Sequence, residues 1–242
     1  MVASSGRWRN LGAAAGAATA VLFAIFDVYQ WAAAYASDHF HNDFTFYYVA
    51  AKIGLGQGWS SIYDLSLQQA QLDMLGSGIK VAELARYISP PPVAWLALPL
   101  TPLPYAAGYW VWSALLLAAL AGTWYLAAAV GWLPVIYGLQ LGQPGMFVAL
   151  GVAGSYALLR AERPLLAGLA LGLLALKPQL AFLAPLALLA ARQDRAFLGS
   201  VIAVGALAGA SALALGFDGL GAYEARLSFA ASVPVNRELT LA

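Results

Sequence analysis

Along the chain, long apolar stretches alternate with short polar breaks, and one interruption, residues 37–89, is far larger than the rest. The first apolar stretch spans about 11–36 behind a head bearing Arg7 and Arg9. A cleavable secretory signal has an apolar core of only about 7–15 residues and ends in small side chains. This stretch is longer and continues through Phe23, Phe26, Tyr29 and Trp31, which predicts a retained helix whose aromatic end lies at the far interface. Further apolar segments cover 92–103, 105–130, 146–159, 165–176, 180–191 and 197–217. Several are shorter than the roughly 20 residues that a simple span needs. Short, proline-bounded pieces predict half-helices or re-entrant segments, which survive in a bilayer only where protein or a water-filled cavity covers the loosened backbone.

Composition agrees with this pattern. Hydrophobic residues make up 62% of the chain and charged residues 10%, and the mean hydropathy is +0.74, against about 25% charged residues in soluble domains. The chain therefore reads as an all-α, polytopic transmembrane bundle, a single domain over 1–242 with room for roughly six to eight spans. The net charge of +1 argues against a nucleic-acid partner, which calls for a concentrated basic surface. Having no cysteine, the protein lacks disulfides, a thiolate nucleophile and thiolate metal sites.

Arginine distribution sets the expected orientation. Arg7 with Arg9, Arg160 with Arg163, and Arg192 with Arg195 flank helix ends in three clusters, and the positive-inside bias assigns all three to the cytoplasm. The opposite, extracytoplasmic face then collects the 37–89 loop, the Gly142-Gln143-Pro144-Gly145 turn, the Lys177-Pro178 break and the tail from Asp218 onward.

The large loop opens with Asp38-His39-Phe40-His41-Asn42-Asp43-Phe44. An acid at the membrane surface beside aromatics suits a general base, because partial desolvation raises its proton affinity toward the useful range. The competing reading is structural, with Asn42 or Asp43 capping a helix that starts at Phe44. In an extended segment His39, His41 and Asp43 would share one face and form a possible metal site; the expected metal is nonetheless none. Asp27, inside the first apolar stretch, is either functional, since ionisable groups in spans are costly, or a carboxylate reaching headgroups. Gly54, Gly56 and Gly58 do not match a dinucleotide fingerprint and follow no strand. Residues 65–88 mix Leu65, Leu72, Leu75 and Ile79 with polar side chains around Gly76-Ser77-Gly78, predicting two short interfacial helices.

Lys177 is the only basic residue between Arg163 and Arg192. It is either a functional intramembrane cation or a helix end snorkelling outward. Gln143 offers amide donors, or belongs to an ordinary turn with Pro144 and Gly145.

In order along the chain, Asp43-Phe44, Tyr47-Tyr48, a Gly-rich stretch into Ile62-Tyr63-Asp64, Tyr87-Ile88-Ser89-Pro90-Pro91-Pro92 with Pro99, Pro102 and Pro104, Gly142-Gln143-Pro144, Ala167-Gly168 and Lys177-Pro178 resemble glycosyltransferase family 87. The resemblance spans about 37–217. It implies a GT-C-type bundle with a large first extracytoplasmic loop in a bacterial-type plasma membrane. The implied reaction is inverting transfer of a mannose- or arabinofuranose-like sugar from a polyprenyl-phosphate donor to a glycan or glycolipid acceptor, without a cofactor. By the same resemblance Asp43 is the general base, with Asp38 as fallback. Lys177, Gln143, His41, Tyr47 and Tyr87 are the candidate donor-binding residues. Members of the family generally continue into further helices, whereas this sequence stops in a polar segment after Asn236-Arg237-Glu238, as a fragment or a truncated relative would. Two other classes stay open. A noncatalytic membrane scaffold would suit the short chain, and a lipid-linked sugar transporter should show repeated halves, which the sequence lacks.

Overall fold

A computed structural model describes residues 3–81, 86–123, 133–178 and 183–233. All regular structure among them is helical. The helices are α1 (Ala3–Ser37), α2 (Asp43–Gln57), α3 (Leu65–Met74), α4 (Pro91–Ala97), α5 (Tyr105–Ala121), α6 (Leu133–Gln140), α7 (Gly145–Arg160), α8 (Pro164–Ala170), α9 (Leu183–Ala190) and α10 (Asp194–Ser232). Tight 3-10 turns cover Trp59–Ser61, Leu98–Leu100 and Leu171–Leu176.

Two segments are long and apolar enough to cross a bilayer, Ala14–Ser37 and Asp194–Ser232. A third arises if Pro91–Leu100 and Tyr105–Ala121, bent by 116°, count as one broken span. Among the described residues this is fewer than the six to eight expected from length. The reason is local: Pro102 and Pro104 in the bend, the turns before Pro144 and Pro164, and the Lys177-Pro178 break cut the apolar sequence into pieces such as Gly145–Arg160 and Pro164–Leu176. Residues 124–130, assigned above to the end of one segment, and 180–182 of another lie outside the described residues.

On α1, Leu22, Phe23, Ile25, Phe26 and Tyr29 are exposed, as a lipid-facing surface requires. Its end is anchored by aromatics. Trp31 Nε1 donates to the Tyr109 hydroxyl at 2.7 Å, and Tyr35 stacks on Tyr109 with centroids 4.4 Å apart.

The 37–89 region is not an open loop. Asn42 is the N-cap of α2, its side-chain oxygen accepting from Thr45 N at 3.1 Å, and its amide donates to His39 O and Tyr105 Oη. Helix α2 then buries Phe44, Tyr47, Tyr48, Val49 and Ile53. Removing a buried aromatic such as Phe44 to alanine costs about 3–5 kcal/mol. Buried Gln68 stitches the far part of the region, with Nε2 donating to Ile62 O and Oε1 accepting from Tyr87 N. Of the two interfacial helices expected in 65–88, the described residues contain one, α3. Past its end, Gly76 takes a left-handed φ of 67° and ends the helix.

Helices α8 and α10 approach through small residues. A methyl group on Gly168 would run into the Ala196 carbonyl and Ser200 N, so these backbones touch as membrane helices with small interfaces do. Helix α10 breaks at Gly216 (φ 61°, ψ −173°), next to the expected end of the last span at 217, and then resumes as helix to Ser232, so residues 218–232, expected as the start of a tail, are helical.

Candidate active site

Three distant segments meet at one end of the bundle. Asn42 has taken the capping role, which leaves Asp43 as the first residue of α2 with a carboxyl free of that duty. Asp43 N donates to Leu141 O at 2.7 Å, tying the start of α2 to the turn between α6 and α7. That turn is held from behind by Trp112, whose Nε1 donates to Gly142 O at 2.8 Å. Gln143 and Pro144 follow at once, and Lys177 comes in from the end of the Leu171–Leu176 turn, with Nζ donating to Gln143 Oε1 at 3.2 Å.

The result is a cavity of about 510 Å³. Its polar lining is Asp43, Tyr47, Arg86, Ser89, Gln143 and Lys177; Tyr87, Pro144 and Pro178 stand beside them, and Tyr223 and Leu227 close it from the second part of α10. The volume lies within the 300–1,000 Å³ typical of small-molecule sites.

Electrostatics at Asp43 are a contest. Burial raises its carboxyl above the ordinary value, while the Gln143 amide, the Lys177 charge and the Tyr47 hydroxyl pull it back; burial wins. The amino-terminal position on α2 also favours the ionised form. Burial, then the neighbouring Asp43 charge, pushes the Tyr47 phenol well upward, so it stays a neutral donor, and Ser89 is its other side-chain partner. A desolvated carboxylate with donors fixed around it is the arrangement that general-base chemistry asks for.

The cavity thus unites Asp43, Gln143, Lys177, Tyr47 and Tyr87. The Tyr87 hydroxyl already donates to Pro90 O at 2.7 Å, so it presents its ring more than its oxygen. Asp38 and His41 are not among the lining residues. They pair with each other in the exposed link after α1, where Asp38 Oδ1 also accepts from Phe40 N and His41 N. Slight burial works upward on Asp38, but those donors and the imidazole hold it below the ordinary carboxylate value. The His39 ring lies tilted against Phe40, centroids 4.2 Å apart. Because Asp43 belongs to a helix and not to an extended segment, the His39, His41 and Asp43 face does not form, and among the described residues no cluster of three His, Cys, Asp or Glu stands ready for a metal. Asp27 is part-buried in α1 and also does not line the cavity.

Sequence reasoning passed over Arg86, Ser89, Tyr223 and Leu227. Arg86 directly precedes the Tyr87-Ile88-Ser89 run and lies over the Phe229 ring at 4.1 Å, a cation–π contact. For Tyr223 and Leu227 a signal existed: with Leu220 they follow helical spacing inside a stretch taken for a tail.

A helical protein with helices long and apolar enough to cross a membrane, carrying a polar cavity among its described residues, is the class these features define. The chain belongs to glycosyltransferase family 87, whose profile matches residues 87–240, and membership implies a glycosyltransferase. The match covers Gln143, Lys177 and the Tyr223 wall and begins after Asp43 and Tyr47. No curated protein and no solved structure matches the chain.

Proposed function

We propose that this protein transfers a mannose- or arabinofuranose-like sugar, with inversion, from a polyprenyl-phosphate donor to a glycan or glycolipid acceptor on the extracytoplasmic side of a bacterial-type plasma membrane. The observation that carries the reading is the convergence of Asp43, Gln143 and Lys177, from three separate segments, on one cavity. Asp43 takes the proton from an acceptor hydroxyl as that oxygen attacks the anomeric carbon. The bond from that carbon to the phosphate oxygen breaks on the opposite face, and its electron pair leaves with the polyprenyl phosphate. Lys177 meets the charge that grows there, which is the largest kind of stabilisation a preorganised site offers. Gln143, held by Lys177, and the Tyr47 hydroxyl orient sugar and base. The reaction uses no cofactor and no metal, and involves no nucleic acid.

A full-length transfer assay tests this. Asp43→Asn should lower turnover by about 10²–10⁴-fold, the usual weight of a general base, while leaving donor binding in place. Near-normal turnover would remove Asp43 from the chemistry. Movement of the intact lipid-linked sugar across vesicles without transfer would favour a transporter.

A further inference from the structure

Helix α2 leaves one apolar side chain open near its start. Every residue from Phe44 to Ala51 is buried except Phe46, which is half-buried and, like Asp43, lines the polar cavity. The exposure of Asp43 follows from the chemistry proposed above. That of Phe46 does not, because an apolar ring left partly open beside Ser89 and Gln143 forgoes some of the roughly 25 cal/mol per Å² that burial gives. The other aromatic residues of the cavity are committed to ring partners, Tyr47 to Tyr87 and Trp112, Tyr87 to Tyr63, and Tyr223 to Tyr63. Phe46 packs against the core but, among the described residues, makes no ring contact, which leaves ring surface turned to the cavity.

Position narrows the ligand. Residues at i and i+3 of a helix are neighbours, with Cβ atoms about 5–6 Å apart, so Asp43 and Phe46 follow one another on the same face of α2. Gln143 and Lys177 approach Asp43 from the turn against which α2 begins, where Asp43 N donates to Leu141 O and Lys177 Nζ to Gln143 Oε1. Phe46 lies one turn further along α2, away from that start. A carboxylate that takes a hydroxyl proton, with an aromatic face one helical turn away, matches a sugar ring: a hydroxyl on its rim reaches the base while the ring itself covers the phenyl. The C–H groups on the face of a sugar are its apolar part and carry slight positive charge, and the face of a phenyl ring is negative. Ser89 and the Tyr47 hydroxyl stand beside this pair in the cavity, suited to the remaining hydroxyls of the rim.

We infer that Phe46 is the stacking platform for the acceptor, a pyranose or furanose ring whose reacting hydroxyl lies at Asp43. This rests on the transfer reading for the role of that sugar. It places the acceptor on the α2 side of Asp43 and the donor phosphate on the Lys177 side, as displacement from opposite faces of the anomeric carbon requires. Phe46 thereby sets specificity. It selects acceptors with an unobstructed C–H face next to the reacting hydroxyl and contributes nothing to donor affinity.

The test reads binding without catalysis. Saturation-transfer NMR on the full chain in nanodiscs, with methyl α-mannopyranoside and methyl α-arabinofuranoside as probes, should show at least one of them bound, with the C–H protons of one ring face receiving most of the saturation. Phe46→Ala should weaken that binding about tenfold, equivalent to ~1.4 kcal/mol. Phe46→Tyr keeps the aromatic face and should stay close to the wild type. Phe46→Leu keeps apolar bulk against the core without the face, and should bind as poorly as the alanine variant while holding the wild-type thermal midpoint. Excess short-chain polyprenyl phosphate should leave the glycoside in place. Absence of binding by both glycosides, full binding in Phe46→Leu, losses that track the thermal midpoint across the variants, or displacement by polyprenyl phosphate would overturn the inference. Binding that depends on Phe46 alongside normal turnover in Asp43→Asn would instead count against the transfer reading alone.

Discussion

The turn through Gly142, Gln143 and Pro144 and the turn through Glu162, Arg163 and Pro164 share one backbone. In the first, Gly142 N and Gln143 N donate to Leu139 O and Gly138 O; in the second, Glu162 N and Arg163 N donate to Leu159 O and Leu158 O. Both place a residue in the left-handed region, φ 68° and 56°, and both start the next helix near a proline. They sit at opposite ends of α7. What differs is the surroundings. A methyl at Gly142 would stand 2.9 Å from Phe44 Cβ, whereas Glu162 is exposed. At the cavity end the turn must admit α2 and Trp112 against its backbone, which only glycine allows. At the arginine end nothing crowds it, and a residue that dislikes the conformation is tolerated. The same turn is a site component where three segments converge and a plain reversal where they do not.

The sharpest way to break this comparison is to ask whether the two ends face different compartments. In the cysteine-free chain, a cysteine at Ser61 should react with an impermeant thiol reagent on intact cells, and one at Gln193 should react only after lysis. The reverse pattern would invert the orientation and remove the extracytoplasmic assignment.

Removing the cation from the cavity end comes next in size. A charge-assisted hydrogen bond is worth roughly 1.5–3 kcal/mol, so Lys177→Ala should weaken binding of a short-chain polyprenyl phosphate by about ten- to a hundredfold. Lys177→Arg keeps the charge with a wider, forked head and should restore part of the loss. Unchanged affinity in the alanine variant would leave Lys177 a snorkelling helix end.

Acidity distinguishes the cavity end as well. Because burial raises the Asp43 carboxyl above its ordinary 3.8, transfer should rise with pH along a limb that lies above that value, as the base loses its proton. The sign for stability is opposite. A carboxyl whose folded value is raised contributes stability while protonated and loses it as pH climbs through the folded value. Asp43→Asn should therefore keep or raise the thermal midpoint at neutral pH while transfer collapses. A variant that loses both together would mark Asp43 as structural.

The smallest effects test the turns directly. Gly142→Ala meets about 1–2 kcal/mol of left-handed strain plus the Phe44 contact, and should lower both the thermal midpoint and transfer. Glu162→Gly relieves the same strain without a neighbour to disturb, and should raise the midpoint by the equivalent of about 1 kcal/mol with transfer unaffected. Equal tolerance of the two substitutions would show that crowding by Phe44 is not what sets the ends apart.

The helical class, the apolar character, Lys177 alone in its apolar stretch and the family motifs were legible along the chain, because hydropathy, charge placement and motif order are properties of neighbours in sequence. Asn42 and Asp43 were equivalent as caps on that level. Their division of labour depends on Tyr105 and His39 O occupying Asn42, and on Leu141 O receiving Asp43 N. The 116° bend before α5 and the left-handed break at Gly216 turn two linear hydropathy patterns into walls, and neither angle is written in a run of apolar residues. Arg86 and Tyr223 entered the cavity for the same reason: they are brought there by packing between residues more than a hundred positions apart. Local chemistry, read from the sequence, determined which groups were capable of catalysis and binding. Which of them are desolvated together, and so become a site, only the tertiary structure decided, because desolvation is the work of distant segments closing over the same space.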